Sequence, residues 1–257
     1  MSSRSTFECF GLVINGITAD EAMKRIDDAL LHGAQTMVVT ANPEILLEAR
    51  KDPAYWNVLR SADMRLVDSF GLKLAGLLVG ANPTRVTGVD FAERLIQVCM
   101  QRDWKVAVVG GEEGNADKAS WKLRQAYPEL SIFAERGGII QNDGTDDEAT
   151  AEMRFRLTQY APDILLVGFG APKQETWIAK HLQDFPSVKV AIGVGGTIDY
   201  WSETKKRAPK VFRDFGLEWL YRIIHEPSRW KRILNATLVF PIIFLVDRTG
   251  ARRKTHT

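Results

Sequence analysis

Six short apolar runs punctuate the chain, at 37–40, 64–67, 106–109, 131–133, 164–167 and 188–194. Uninterrupted runs of this length predict strands buried on both faces. Between them lie longer stretches with helix-start signals. Thr18-Ala-Asp-Glu21 reads as a capping box ahead of a helix over 19–32. Asn42-Pro43-Glu44 combines an N-cap, a first-turn proline and a first-turn acid ahead of 43–51. Two more helices are expected near 89–101, after Gly88, and near 115–127, after Gly114. Strands alternating with helices predict an α/β fold: a mostly parallel, Rossmann-like sheet with helices on both faces. In such sheets a ligand sits beyond the carboxyl ends of the strands, so the chemistry is expected just after each run.

The turns after those runs are informative. The first carries Thr40 and Asn42, and the second Asp68-Ser-Phe-Gly71. The third carries Gly110, Gly111 and Gly114; the fifth Gly168, Gly170, Pro172, Lys173, Gln174 and Glu175; the sixth Gly195 and Gly196. Three Gly-rich turns thus feed helix starts, where free N–H groups and the helix dipole favour an anion. A phosphorylated ligand is the natural reading, although glycines at such turns also serve backbone geometry alone. None of the turns matches GxGxxG or GxxxxGK[ST], which argues against a dinucleotide fingerprint or a P-loop. Asp68 also reads as a plain helix cap, and Gln174 and Glu175 as an exposed first turn. The acidic loop at 143–147 reads as a turn capping the next helix rather than a metal site.

Composition changes the picture at one end. The 257 residues carry a net charge of +2, but 13 Lys or Arg against 4 Asp or Glu fall in 205–257. That end is +9 and the remainder −7. A basic end implies an anionic partner: phosphate, nucleic acid or anionic lipid. Within it, the apolar run 233–246 falls short of the ~20 residues that a spanning helix needs. The run reads either as an interfacial helix between basic clusters or as a buried or dimer-packing helix. The two cysteines and four histidines show no ligand spacing, and the N-terminus has no apolar signal-peptide core.

Several motifs occur in order: TANPE at 40–44, RVTGVDF at 85–91, DILLVGFGAPKQETWI at 163–178, GVGGTIDY at 193–200, RAP at 207–209, and EWLYR with EPSRWKR at 218–232. Together they resemble the WecG/TagA/CpsF glycosyltransferase family over nearly the whole chain. The resemblance implies an inverting transferase that moves N-acetylmannosamine from a UDP-sugar to a polyprenyl-diphosphate-linked sugar in bacterial cell-surface polysaccharide synthesis. It implies no metal and no bound cofactor. It also implies a location at the inner face of the cell membrane, self-association, and no nucleic-acid partner. It divides the chain into a nucleotide-sugar-binding α/β domain over 1–200 and a basic, membrane-associating appendage over 201–257.

Residue by residue, Asp68 matches the family's catalytic base, Thr40 and Asn42 match pocket residues near the reacting sugar, and Gln174 matches an active-site polar residue. Arg222, Arg229 and Arg232 match basic residues of the appendage, which closes over the site. With Arg85 and the glycine turns, they are the expected contacts to the donor. Ser69 and Val67 stand where glycine and proline are common in the family, which leaves UDP-glucose and UDP-N-acetylmannosaminuronate open as donors. An NAD-dependent oxidoreductase on a similar fold, disfavoured by the absence of GxGxxG, and a non-catalytic nucleotide-sensing adaptor are the readings from other classes.

Overall fold

A computed structural model describes residues 5–214, 220, 221, 224 and 230–248. It opens with an antiparallel hairpin, β1 (Phe7–Cys9) and β2 (Leu12–Ile14). Then follow α1 (Ala19–Leu31), β3 (Thr36–Ala41), α2 (Pro43–Ala49), α3 (Pro53–Ser61), β4 (Met64–Val67), α4 (Phe70–Leu78) and α5 (Gly88–Arg102). The second half holds β5 (Val106–Gly110), α6 (Asn115–Ala126), β6 (Ile132–Glu135), α7 (Glu148–Tyr160), β7 (Ile164–Gly168), α8 (Lys173–His181), β8 (Val190–Gly193), α9 (Thr197–Trp201) and α10 (Lys210–Asp214).

All six apolar runs are strands of one sheet, ordered β4-β3-β8-β7-β5-β6, with every pairing parallel. The expected α/β class is therefore borne out. The capping box at Thr18 is complete in both directions, and Asn42 caps α2 through the Glu44 and Ile45 N–H groups. The hairpin was not legible in the sequence, because three-residue strands carry too little pattern to stand out.

Alternation along the strands builds two cores. Val39, Ala41, Val67, Val109 and Val167 face the hairpin, α2, α3, α4, α7 and α8. Val38, Leu66, Val108, Leu166 and Ile192 face α1, α5, α6 and α9. Helices thus cover both faces of the sheet, which is what continuous apolar strands require.

The apolar run near the C-terminus is helical: α11 (Trp230–Leu234), a π-helical turn (Asn235–Val239) and α12 (Phe240–Arg248). Pro241 cannot donate a helical N–H, and the π turn lies directly before it. Phe240 and Phe244 are fully buried in the first core and meet Phe10 edge-on, with centroids 5.9 and 6.3 Å away. The run therefore has an inner face that packs on the body. It also keeps an apolar outer face at Leu238, Ile242 and Leu245, which are exposed. No helix among the described residues is long and apolar enough to cross a membrane.

Removing the two anchoring rings tests this docking. Phe→Ala in a packed core costs about 3–5 kcal/mol. The Phe240→Ala/Phe244→Ala variant is expected to unfold at a clearly lower urea concentration and to be cleaved by protease within 233–246. A wild-type midpoint and an uncleaved helix would show that the rings contribute no packing.

Candidate active site at the carboxyl edge of the sheet

Because all six strands run the same way, their carboxyl ends share one edge. Across it the order is Asp68 after β4, Thr40 near the end of β3 with Asn42 just after it, Gly195 and Gly196 after β8, Gly168 to Gln174 at and after the end of β7, and Gly110 and Gly111 at the end of β5. Four inter-strand gaps separate the ends of this series, roughly 19 Å at ~4.8 Å per gap. The edge suits a long ligand laid across the strands.

Asp68 lies just beyond β4, half-buried. Its backbone N–H donates to the Ala41 carbonyl at 2.9 Å, and its Oδ1 accepts from the Gly88 N–H at 2.8 Å. Gly88 opens α5, so the carboxylate is oriented by a helix N-terminus, where negative charge is stabilised. A Cβ on Gly88 would lie 3.2 Å from Thr40 Cγ2, so a glycine lets this helix start approach β3. The helix cap beside Asp68 is Ser69, whose Oγ accepts from the Leu72 N–H at 3.2 Å. The serine at this position therefore has a local structural role.

The sequence did not single out Arg207 as a partner of this region. Its guanidinium reaches Asp90 Oδ1 at 2.7 Å and Thr87 Oγ1 at 3.2 Å. Thr87 Oγ1 in turn accepts from the Asp90 N–H and donates to the Asp90 carboxylate. The RAP segment thereby holds the first turn of α5, and with it the amide that orients Asp68.

Thr40 is buried, and its hydroxyl donates to the Gly193 carbonyl at 3.0 Å. Asn42 Oδ1 is taken up by the α2 cap. Gln174 and Glu175 are not the exposed first turn that one sequence reading allowed; both are almost wholly buried. Gln174 Oε1 accepts from the Gly195 N–H at 3.0 Å, and its Nε2 donates to Glu175 Oε1 at 2.6 Å. The Tyr55 hydroxyl donates to the other oxygen, Oε2, at 2.9 Å. A Cβ on Gly193 would come within 2.6 Å of Gln174 Nε2, so only glycine leaves the amide its place. In this conformation the pair ties α8 to α3 and to the β8 turn, and Glu175 presents no surface to a ligand.

The accessible parts of the glycine turns are Gly111, Gly168, Gly170, Pro172, Lys173, Gly195 and Gly196, all partly or well exposed. Gly110 is buried, with a φ of 106° and no room for a Cβ beside the Gly168 backbone. Of the three turns, those after β5 and β7 feed helices of two turns or more, α6 and α8; the one after β8 feeds only five residues. A second network, buried at Asn115 and Asp199, joins these turns. Asn115 Nδ2 donates to Asp199 Oδ1 at 2.8 Å, and Lys205 Nζ bridges Asp199 and Glu112 at 2.6 and 2.9 Å. Asp199 lies inside GVGGTIDY, so the motif marked the place but not the partners.

Arg85 lines a different cleft, of about 330 Å³, with Asp90, Glu93 and Arg94; no glycine turn borders it. Arg222 and Arg229 lie outside the described residues, as does the side chain of Arg232. In the 143–147 loop, Asp147 caps α7, Asp143 holds Thr145, and Asp146 pairs with Arg154 and Trp177. Each acid has its own protein partner.

These features define a class: an α/β protein with a long edge of parallel strand ends and one oriented carboxylate on it. The model of the glycosyl transferase WecG/TagA/CpsF family matches residues 7–254, and the chain belongs to that family. It is a glycosyltransferase. A Bacillus spizizenii protein is 32% identical over 216 residues, covering 84% of this chain and 81% of the relative. A Staphylococcus aureus protein (strain MRSA252) is 34% identical over 218 residues, with the same coverages. Both relatives are named N-acetylglucosaminyldiphosphoundecaprenol N-acetyl-beta-D-mannosaminyltransferase.

Burial pushes the Glu175 carboxyl up to about 7, against the opposing pull of the Gln174 and Tyr55 hydrogen bonds. The folded chain therefore holds a proton that the unfolded chain releases between about pH 4.5 and 7. Stability from this group falls as pH rises through that window and is level above it. Glu175→Gln fits the same partners, with Oε1 facing Gln174 and the amide NH₂ facing a rotated Tyr55 hydroxyl. The stability difference, wild type minus variant, is expected to fall by on the order of 3 kcal/mol from pH 4.5 to 8 in urea titrations. A difference independent of pH would show that the carboxyl titrates normally.

Proposed function

We propose that this transferase moves N-acetylmannosamine from UDP-N-acetylmannosamine to an N-acetylglucosaminyl-diphosphoundecaprenol acceptor, with inversion. The names of the relatives supply the sugar and the acceptor. The observation that carries the reading is Asp68, a carboxylate at the edge, oriented by the Gly88 amide beside Thr40 and Asn42.

The chemistry is one displacement. The acceptor hydroxyl oxygen attacks the anomeric carbon while the bond from that carbon to the UDP oxygen breaks. The hydroxyl proton passes to the Asp68 carboxylate, and the electron pair leaves with UDP. General-base help of this kind contributes roughly 10²–10⁴-fold. Charge growing on the departing diphosphate is met by fixed donors, the N-termini of α6 and α8 and the arginines at 222, 229 and 232. No metal is needed on this reading; the acids at 143–147 are engaged by protein partners. Ser69 serves as the α4 cap, so its presence does not favour another donor. The acceptor is a lipid, so the enzyme works at the inner face of the membrane, with its basic C-terminal segment toward anionic headgroups.

The test is a donor screen with a short-chain polyprenyl-diphosphate-N-acetylglucosamine acceptor, reading UDP release and product mass. Transfer from UDP-glucose or UDP-N-acetylmannosaminuronate, with none from UDP-N-acetylmannosamine, would replace the proposed donor. Asp68→Asn is expected to keep UDP affinity while turnover falls at least ~10²-fold; turnover above a tenth of wild type would remove Asp68 from the role of base. EDTA is expected to leave turnover unchanged, and loss restored by Mg²⁺ would show that a metal takes part.

A further inference from the structure

Helix α4 starts two residues after Asp68 and carries a single charge, Lys73. Its inner residues, Leu72 and Ala75, belong to the same core as Phe240 and Phe244 of α12. Its outer residues Phe70, Leu74, Leu77 and Leu78 follow helical spacing and form an apolar stripe. Leu238, Ile242 and Leu245 form a second stripe on the C-terminal helix. These seven side chains are each between 43% and 63% exposed. The two helices touch: a Cβ on Gly71 would lie 3.7 Å from the Ala236 carbonyl, so the π turn passes over the start of α4. Large side chains left in water in such a patch mark an interaction surface.

We propose that α4 and the C-terminal helix form one lipid-seating face, which rests on an anionic bilayer and holds Asp68 at the height of the acceptor's diphosphate. This rests on the lipid-linked acceptor of the proposed function and adds α4 to the basic C-terminal segment. The charges fit an anionic bilayer. No charge interrupts 233–246, Asp247 is paired with Arg50, and Arg248 is exposed at the helix end. The cations Arg252, Arg253 and Lys254 follow in sequence. Apolar faces rimmed by cations insert at an anionic interface. A second copy suits the face less, because an isologous contact would bring the two cationic rims together. At 1.5 Å per residue, the 14 residues of the run extend ~21 Å, short of the ~30 Å hydrocarbon core, so the helix lies on the bilayer. Asp68 lies two residues before α4, and seating α4 therefore sets the height of the base over the headgroups.

The test is Leu74→Glu/Leu78→Glu in the full chain, outward positions where folding is expected to be unaffected. Sedimentation with phosphatidylglycerol vesicles is expected to fall at least ~10-fold. Turnover on acceptor embedded in those vesicles should fall in parallel, while turnover on a short-chain, water-soluble acceptor and the melting temperature stay as in wild type. Undiminished sedimentation of the folded variant would overturn the proposal. So would a wild-type dimer that the variant converts to monomer without loss of vesicle binding, since a second copy would then cover the face. If neither acceptor turns over in wild type but the variant still loses vesicle binding, the acceptor assignment fails and the lipid-seating face stands.

Discussion

The parallel register of the six strands is the constraint on which the rest depends. With every strand pointing the same way, each strand-to-helix turn opens at one edge, and residues from 40 to 200 become neighbours. Parallel pairing is available because both faces are covered, so each strand can be apolar throughout. A strand buried on both faces has no polar side of its own. Polar groups therefore gather at the strand ends, where the backbone leaves the sheet; Arg65 within β4 is an exception, its guanidinium donating to the Val13, Leu59 and Ala62 carbonyls. The candidate site is a consequence of the way the core is built.

Those ends are held apart and in place by hydrogen bonds that are themselves buried. The Thr40 hydroxyl ties β3 to the end of β8; Gln174 ties α8 to the next turn; Asp199 ties α9 to the turn after β5. A buried polar group left unpaired costs about 1–3 kcal/mol, so each link resists displacement of either partner. The Glu175 carboxylate shows the logic most sharply. Among the described residues it has two donors, Gln174 and Tyr55, and no ion partner, and burial accordingly pushes its protonation upward. Its two acceptors fix which way the Gln174 amide points: Nε2 must face Glu175, so Oε1 must face Gly195. A carboxyl group out of contact with solvent thus orients the amide that receives an N–H at the edge.

How much of this could be read from the residues depends on what each residue's role requires. The six strands were legible because burial on both faces leaves a nearly continuous apolar run. Helix starts at Thr18 and Asn42 were legible because capping is a local contact between residues two or three apart. Asp68 was marked by its place after a run and by its resemblance to a known base motif. The burial of Gln174 and Glu175 was not legible, since the partners, Tyr55 and Gly195, lie 120 and 21 residues away. Arg207 is likewise 120 residues from Thr87. A residue whose function is to hold another carries no pattern of its own; only the fold names its partner.

The C-terminal run resolves in a similar way. Its sequence allowed either a membrane-facing helix or a packed one; the helix packs one face on the body and leaves the other apolar and exposed. Phe240 and Phe244 pack inward while Leu238, Ile242 and Leu245 face out. A helix has two sides, and here apolar residues fall on both, so packing on one side leaves the other apolar. The inner face has a consequence for the outer one. A helix bolted to the body by two phenylalanines cannot bind a surface independently of the sheet's carboxyl edge. Gly71 is where the π turn crosses α4, three residues after Asp68. Location and chemistry are joined there by packing: whatever holds the outer face holds the carboxylate too.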